Sequence, residues 1–172
     1  YCSGGQIIPM MKRACSSSIL VAAPRLMEPI LICEIICPVD CIGAVTLIIN
    51  KRRGHINYET ARSGTPFFTL NAFIPALDSF GIETDIRNTT AGLAYIQIIQ
   101  DHWDILPGDP IDRSIEVKTL ESAIPSHLSR DVMVKTRRKK GLIDDFLITK
   151  FFDSNTLIEA IENNPDLKKY IK

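Results

Sequence analysis

The feature that most constrains the fold is an apolar run from Ile30 to Cys37, which reads ILICEIIC. Only Glu34 interrupts it, and its β-branched isoleucines favour an extended strand over a helix. A strand that is apolar at nearly every position is typical of the centre of a sheet. Pro38 follows directly and cannot continue the ladder of hydrogen bonds. We therefore predict a central β-strand over residues 30–37.

Further helices and strands are predicted in a fixed order around this strand. The apolar spacing predicts helices over Pro9–Val21, over Val39–Arg52 and from Pro75 to near Gly92, and strands over residues 55–60, 67–74 and 94–103. Gly54 is predicted to cap the second of these helices. From residue 30 onward the order is β-α-β-β-α-β, the ferredoxin-like pattern. The fold class is therefore α+β, a ferredoxin-like βαββαβ sandwich with a preceding helix and a C-terminal helical extension.

The two faces of the predicted sheet differ in what should cover them. Two helices would cover one face and bury the apolar residues that point toward them. The other face is only half polar, so we expect another segment or domain to pack against it. Trp103, with Ile105 and Leu106 close to it in sequence, is interpreted as a packing residue of the core or of a domain contact and not as a base-stacking platform.

The cysteines and acids do not match known metal-binding patterns. Five cysteines occur in the chain, an odd number with no Cys-x-x-Cys pair. They favour a reducing compartment, with Cys33, Cys37 and Cys41 as small apolar thiols and not as zinc ligands. The acids between residues 101 and 112 lack the alternating ligands and closing glutamate of a calcium loop. We predict no bound metal.

The sequence also lacks the usual signs of a catalytic site. Its three histidines lie at strand ends or in a linker, far from any nucleophile in the sequence: His55, His102 and His127. No Gly-x-x-x-x-Gly-Lys-Ser/Thr run is present to hold nucleotide phosphates. The longest apolar stretch, near residues 29–39, contains an acid and is too short to span a bilayer. We therefore predict a chain with no catalytic residues, no cofactor of its own and no membrane contact.

Positive charge is concentrated in two clusters, although the formal net charge of the chain is zero. The first basic cluster is Lys51, Arg52 and Arg53, and the second basic cluster is Lys135, Arg137, Arg138, Lys139 and Lys140. Both could bind phosphate oxygens or an acidic protein surface. Both could also be solvated helix ends that complement the helix dipole. We take the eight residues as candidates for RNA or protein docking, without sequence-specific reading of RNA, because no aromatic residues lie among them.

A series of short motifs resembles the elongation factor 2-type translocases, in the right order and spacing. The motifs are Gly4–Pro9, Pro24–Pro29, Lys51–His55, Asp78–Gly81, Asp85–Arg87, Asp101–Trp103, Ile105–Pro110, and Thr136–Arg137 with Lys140–Gly141. Three further segments are similar to the spliceosomal branch of that family, the GTP-binding subunits of the U5 small nuclear ribonucleoprotein: Phe73–Ala76, His127–Arg130 and Ile148–Asp153. We prefer this branch, with a ribosomal translocation factor as the alternative.

The resemblance implies a domain organisation and a set of partners. Residues 1–25 would be the last helix of a truncated, domain IV-like unit, residues 26–110 a domain V-like unit and residues 111–172 an extension. GTP and Mg²⁺ would bind an N-terminal domain of the parent that this chain lacks, so the chain itself would not be an enzyme. Its partners would be spliceosomal proteins, RNA backbone and other domains of the parent, in the nucleus (or in the cytoplasm for the ribosomal alternative). A third hypothesis is a stand-alone ferredoxin-like regulatory domain with a small ligand.

Overall fold

A computed structural model describes residues 3–144 and 150–163, which form two compact units. The sheet unit is Met27–Ile105, and the flanking unit consists of the described residues before and after it. The sheet unit lies inside the range 26–110 predicted for the ferredoxin-like domain. The flanking unit combines the two end segments that were predicted as separate parts.

The sheet unit contains one four-stranded antiparallel sheet. Its strands are β1 Met27–Pro38, β2 His55–Ala61, β3 Phe67–Pro75 and β4 Tyr95–Ile105, in the spatial order β2-β3-β1-β4. Every neighbouring pair is antiparallel. The apolar run at residues 30–37 lies within β1, which pairs with β3 on one side and β4 on the other. The prediction of a central strand there is confirmed.

Six α-helices complete the described structure. They are α1 Gly4–Val21, α2 Ile42–Lys51, α3 Ala76–Ser79, α4 Ile82–Thr89, α5 Leu128–Lys139 and α6 Ser154–Asn163. A 3-10 turn at Val39–Cys41 leads into α2. The order of elements from β1 to β4 gives the ferredoxin-like α+β fold, with a helix before it and helices after it. The predicted fold class is confirmed.

The core of the sheet unit lies between one face of the sheet and the helices α2 and α4. Alternate residues of β1 and β3 point into it, as the two-residue period of a strand requires. Helix α2 adds Val45 and Ile49, and α4 adds Ile82 and Ile86, at three- and four-residue spacings. The fully buried members are Cys33, Ile35, Cys37, Val45, Ile49, Leu70, Ala72, Ile74, Ile82 and Ile86. Each large aliphatic side chain buried here stabilises the fold by roughly 1.5–3 kcal/mol.

Helix α1 differs from its prediction at both its start and its buried side. It begins at Gly4, because the backbone N–H groups of Gln6 and Ile7 already bond to the carbonyl of Ser3. Pro9 therefore lies inside the helix. The sequence spacing predicts a buried side made of Met11, Cys15, Ile19 and Ala22, but these residues are exposed, with Ile19 at 61%, and Leu20 is the buried residue. Apolar spacing predicted the helix but not which side of it is covered.

The helix predicted from Pro75 to near Gly92 is divided into α3 and α4. Gly81 adopts φ +79°, a left-handed conformation that reverses the chain between them. Pro75 ends β3 instead of starting the helix, and α4 ends at Thr89. Gly81 therefore divides the segment that the sequence predicted as one helix.

Gly54 takes part in capping α2, as predicted, but it is not the left-handed residue of the cap. Arg53, one residue earlier, takes the left-handed conformation at φ +58°. The Gly54 N–H donates to the carbonyl of Ile49 at 2.9 Å. A Cβ atom at Gly54 would lie 2.7 Å from side-chain carbons of both Ile49 and Ile74. Glycine is needed at this position because the chain passes too close to the core for any side chain.

The flanking unit has a small apolar cluster of its own. Leu20 and Ile111 are buried, and Phe151 and Phe152 pack against them. The guanidinium of Arg13 donates to the Phe151 carbonyl at 3.2 Å and to Asp153 at 2.7 Å. Of the segment Ile148–Asp153 that favoured the spliceosomal branch, residues 148 and 149 lie outside the described residues. No helix among residues 3–144 and 150–163 is long and apolar enough to cross a membrane.

Candidate docking site

The first basic cluster lies at the end of α2. Lys51 is the last helical residue, Arg52 is the C-cap and Arg53 continues in the left-handed conformation. This change of direction places the two arginine side chains next to different parts of the sheet unit. Lys51 remains exposed and lines a groove of about 430 Å³ with Asp85 and other polar residues.

Arg53 forms a bidentate ion pair with a buried carboxylate. Its Nη1 and Nη2 atoms donate to the two oxygens of Glu28 at 3.0 and 2.9 Å, and its Nε donates to Asp78 at 2.5 Å. Glu28 is only 5% exposed. Burial alone would lower the pKa of Arg53, but the hydrogen bonds and charges of Glu28 and Asp78 outweigh it and raise the pKa. This arginine stays charged and compensates the buried acid.

Arg52 binds the backbone of the turn between α3 and α4. Its Nη1 donates to the carbonyl oxygens of Asp78 and Phe80, both at 2.7 Å. Its Nη2 forms an ion pair with Asp85. The side chains of Arg52 and Arg53 are therefore engaged within the sheet unit. Docking of RNA or protein by the first basic cluster stays a prediction, and Lys51 is its most exposed member.

The acidic partners of these arginines were not identified from the sequence. Glu28, Asp78 and Asp85 all occur in the motifs that carry the family resemblance, but each lies 25 to 33 residues from its arginine. Helix spacing rules pair residues three or four apart. In the sequence, the one sign that these three acids have a role is that they lie within the motifs shared with the family.

The second basic cluster occupies the last two turns of α5 and the residue after it. Lys135 forms an ion pair with Asp131 at 2.9 Å and donates to the carbonyl of Glu121 at 2.9 Å. Arg137 donates to the carbonyl of Ile143 at 2.6 Å. These bonds connect α5 to the residues that precede and follow it in the chain, so Lys135 and Arg137 have a structural role.

Arg138 is the most extensively bonded side chain of this cluster. Its guanidinium makes three hydrogen bonds to the carboxylate of Asp144, at 2.7 to 2.9 Å, and one to the carbonyl of Val117 at 3.3 Å. Lys139 and Lys140 are exposed, and no hydrogen bond or ion pair is found for their side chains within residues 3–144 and 150–163. These two lysines are the best placed to meet a phosphate, and RNA contact by the cluster stays a prediction.

The Arg138–Asp144 pair predicts a pH dependence. The hydrogen bond from Arg138 lowers the pKa of Asp144, and Arg138 also attracts the ionised carboxylate. A lowered folded-state pKa gives stability that is present above the unfolded-state pKa and is lost as the pH falls through the folded-state value. We expect Asp144→Asn to lower the melting temperature slightly near neutral pH and to make no difference in strong acid. Melting curves across the acidic range test this, and an equal gap at every pH would contradict it.

The second face of the sheet, called here the open face, remains uncovered at several apolar positions. Tyr58, Tyr95 and Ile99 are 53%, 63% and 58% exposed on β2 and β4. Strand register places Ile99 beside Ile32 of β1, and Tyr95 beside Ile36. The open face therefore exposes apolar side chains to solvent, as expected of a face that is only half polar. What covers it stays a prediction.

A polar row crosses the middle of the open face. Glu34 of β1 is exposed and is paired in register with Asn71 of β3 and Gln97 of β4. At the start of β2, the ring of His55 lies 5.6 Å from that of Phe73 on β3, which lies 5.7 Å from the ring of His102 on β4. The open face thus has apolar and aromatic residues around one central acid.

The remaining candidate residues occupy structural positions. Cys33 and Cys37 are buried, and burial raises the pKa of Cys33 to about 11, which keeps its thiol protonated. Within the described ranges, no group of three or more His, Cys, Asp or Glu residues could hold a metal ion. Trp103 is 57% exposed, so it is not a core residue as one interpretation had it. A role for it in a domain contact stays a prediction.

The four-stranded antiparallel sheet with α2 and α4 on one face defines the sheet unit as a ferredoxin-like domain. Residues 25–114 match the family model described as Elongation factor G C-terminus. The chain belongs to this family. The resemblance to translocases that the motifs predicted is confirmed.

Three curated relatives show which proteins the chain is similar to. It is 44% identical over 163 residues to the 110 kDa U5 small nuclear ribonucleoprotein component CLO of Arabidopsis thaliana, and to the 109 kDa U5 component GFL of the same plant. It is 46% identical over 157 residues to the pre-mRNA-splicing factor cwf10 of Schizosaccharomyces pombe. These alignments cover 91–95% of this chain but only 16–17% of each relative. The chain therefore spans about a sixth of the length of the relatives.

Proposed function

We propose that the chain is a non-catalytic docking module of a GTP-binding protein that acts in pre-mRNA splicing within the U5 ribonucleoprotein. The names of the three relatives support the splicing branch over the ribosomal one. GTP and Mg²⁺ would bind elsewhere in the longer parent protein, because no phosphate-binding run occurs in these 172 residues. The module would act in the nucleus, with other U5 proteins and other domains of its parent as neighbours.

The observation that most supports docking is the open face of the sheet. Tyr58, Tyr95 and Ile99 expose more than half of their surface on it. Tyr58 lies on the edge strand β2, and Tyr95 and Ile99 lie on the opposite edge strand β4. Several exposed apolar groups on one face are typical of protein–protein contacts, in which tyrosine is enriched. Burying them against a partner would remove this apolar surface from water and so favour association.

The composition of the open face favours a protein partner over RNA. Ferredoxin-like sheets that bind RNA present stacking aromatics on their central strands. Here the central strand β1 presents Glu34 instead, with Ile32 and Ile36 on either side of it along the strand. The other central strand, β3, carries Phe73, but its ring is already in contact with the rings of His55 and His102. A carboxylate in that position repels phosphate, whereas a lysine or arginine of a protein partner would pair with it.

The proposal predicts that a charge placed on the open face weakens assembly. In the full-length parent, Ile99→Asp should reduce the amount of U5 protein that co-purifies by about tenfold, because it places a carboxylate in an apolar contact. Gln100→Asp is the matched control, because Gln100 is the next exposed residue of β4 and points to the opposite face of the sheet. Quantitative mass spectrometry of the purified particle measures both variants.

Two outcomes would count against the proposal. Equal recovery of U5 proteins with Ile99→Asp and Gln100→Asp would show that the open face is not a docking surface. Co-sedimentation of the parent with ribosomes, without U5 components, would favour a translocation factor of protein synthesis.

A further inference from the structure

Strand β4 forms one edge of the sheet, and its outer side has no neighbouring strand. In the order β2-β3-β1-β4 it pairs with β1, and no other strand within residues 3–144 and 150–163 pairs with it. Alternate residues of an edge strand point their backbone N–H and C=O groups away from the sheet. Such a row of donors and acceptors is complementary to one class of ligand, another extended polypeptide.

The opposite edge of the sheet, β2, is protected against further pairing. It has seven residues, and its register with β3 shifts between Ile56 and Tyr58, which leaves Asn57 as the extra residue of a β-bulge. Glu59 adds an exposed charge in the second half of the strand. Bulges, charges and short length are the means by which proteins keep an edge strand from pairing with other chains.

The first half of β4 lacks these protective features. Residues 95–99 read Tyr-Ile-Gln-Ile-Ile, without a charge, a proline, a glycine or a register shift. Tyr95, Ile98 and Ile99 are exposed. A bulge follows only at Asp101, the residue of β4 that has no register partner in β1. An uncharged edge rich in β-branched residues pairs readily with a further strand, so proteins that leave one open have a use for it.

We propose that residues 95–99 of β4 pair with an extended segment of a separate protein, which adds a fifth strand to the sheet in the assembled particle. The added strand is an uncharged stretch with a lysine or arginine at one end, because the exposed acids Asp101 and Asp104 lie just beyond the free edge. This inference rests on the proposed docking function. It names the backbone of β4 as a contact, beside the side chains of the open face.

Backbone hydrogen exchange tests the fifth strand without any substitution. The full-length parent is compared, alone and within the purified U5 particle, by mass spectrometry at single-residue resolution. The N–H groups of residues 95–99 that point outward should exchange at least about 100-fold more slowly in the particle, because each gains a hydrogen bond. The internal control is β2, residues 55–61, whose blunted edge should gain no such protection.

Two outcomes of this measurement would overturn the proposal. Outward N–H groups that exchange equally fast in the parent and in the particle would show that no strand is added. Protection already present in the parent alone would show that the parent's own chain, or a second copy of it, covers the edge. If Ile99→Asp still weakens assembly in either case, the docking function of the open face stands without the added strand.

A charge on the edge gives a second test that leaves the open face unchanged. Ile98 is paired in register with the core residue Cys33, so its side chain points away from the open face. Ile98→Lys should reduce recovery of the strand-donating protein by about tenfold, because edge lysines oppose pairing. Ile98→Thr keeps a β-branched side chain and should reduce recovery by less than about threefold. Melting curves of both variants show whether a loss comes from unfolding, and equal recovery with lysine and threonine would contradict the added strand.

Discussion

Replacing Gly54 with alanine is expected to destabilise the sheet unit by about 3 kcal/mol, the upper range for overpacking a core. The added Cβ would lie 2.7 Å from side-chain carbons of Ile49 and Ile74 and 2.8 Å from the carbonyl oxygen of Phe73. Both isoleucines are fully buried, so neither can move without displacing other core residues. Urea unfolding, followed by the fluorescence of the single tryptophan, Trp103 in β4, measures the loss.

Gly43→Ala is the control for this prediction. Gly43 lies in α2, eleven positions before Gly54, and a Cβ there would meet nothing within 4 Å. Alanine has the better helix propensity, so this variant should be more stable than the wild type by about 0.5 kcal/mol. If Gly54→Ala were as stable as the wild type, this result would contradict the close contact of residue 54 with Ile49 of α2 and Ile74 of β3.

The sheet and its core were predictable because their signals are local. The apolar run of β1 and the alternation of Leu70, Ala72 and Ile74 in β3 each report on a few consecutive residues. Val45 and Ile49 are four residues apart in α2, and this helical spacing likewise predicts that they face the same side. Strand geometry places alternate side chains on the same face, so a correct strand assignment also gives the residues that share the core-facing side.

The positions that the sequence did not predict depend on distant contacts. Helix α1 has an apolar stripe, but the face that becomes buried depends on what packs against it, and Leu20 is the residue covered. The left-handed conformation falls on Arg53, and Gly54 is needed for a different reason, because the core leaves no room for a side chain there. Neither effect is visible in propensity or spacing.

The basic clusters illustrate the same limit for the candidate site. Charge runs in the sequence indicated eight docking candidates, but they could not indicate which charges are already paired. Arg52 and Arg53 bind acids and carbonyls 25 to 33 residues away, and Arg138 binds Asp144. Lys139 and Lys140 show no such contact within the described ranges. The structure thus separates residues that share a charge but differ in their partners.

Arg53→Met is expected to destabilise the sheet unit by about 3 kcal/mol, because it leaves the carboxylate of Glu28 buried without its cation. Methionine is also unbranched, so the left-handed backbone at this position is strained to a similar degree in both chains. Lys51→Met is the matched control at the end of the same helix. Lys51 is exposed, and its replacement should change the free energy of unfolding by less than about 0.5 kcal/mol.

A second substitution separates the ion pair from packing. If the loss in Arg53→Met comes from the uncompensated charge of Glu28, adding Glu28→Met should recover roughly half of it, since an apolar pair has no buried charge. If the loss came only from the missing arginine stem, the double variant would be no more stable than the single one. Urea unfolding of the four chains (wild type, both single variants and the double variant) gives the coupling energy of the pair directly. A coupling near zero would mean that Glu28 and Arg53 act independently, which the two hydrogen bonds of 2.9 and 3.0 Å between them argue against.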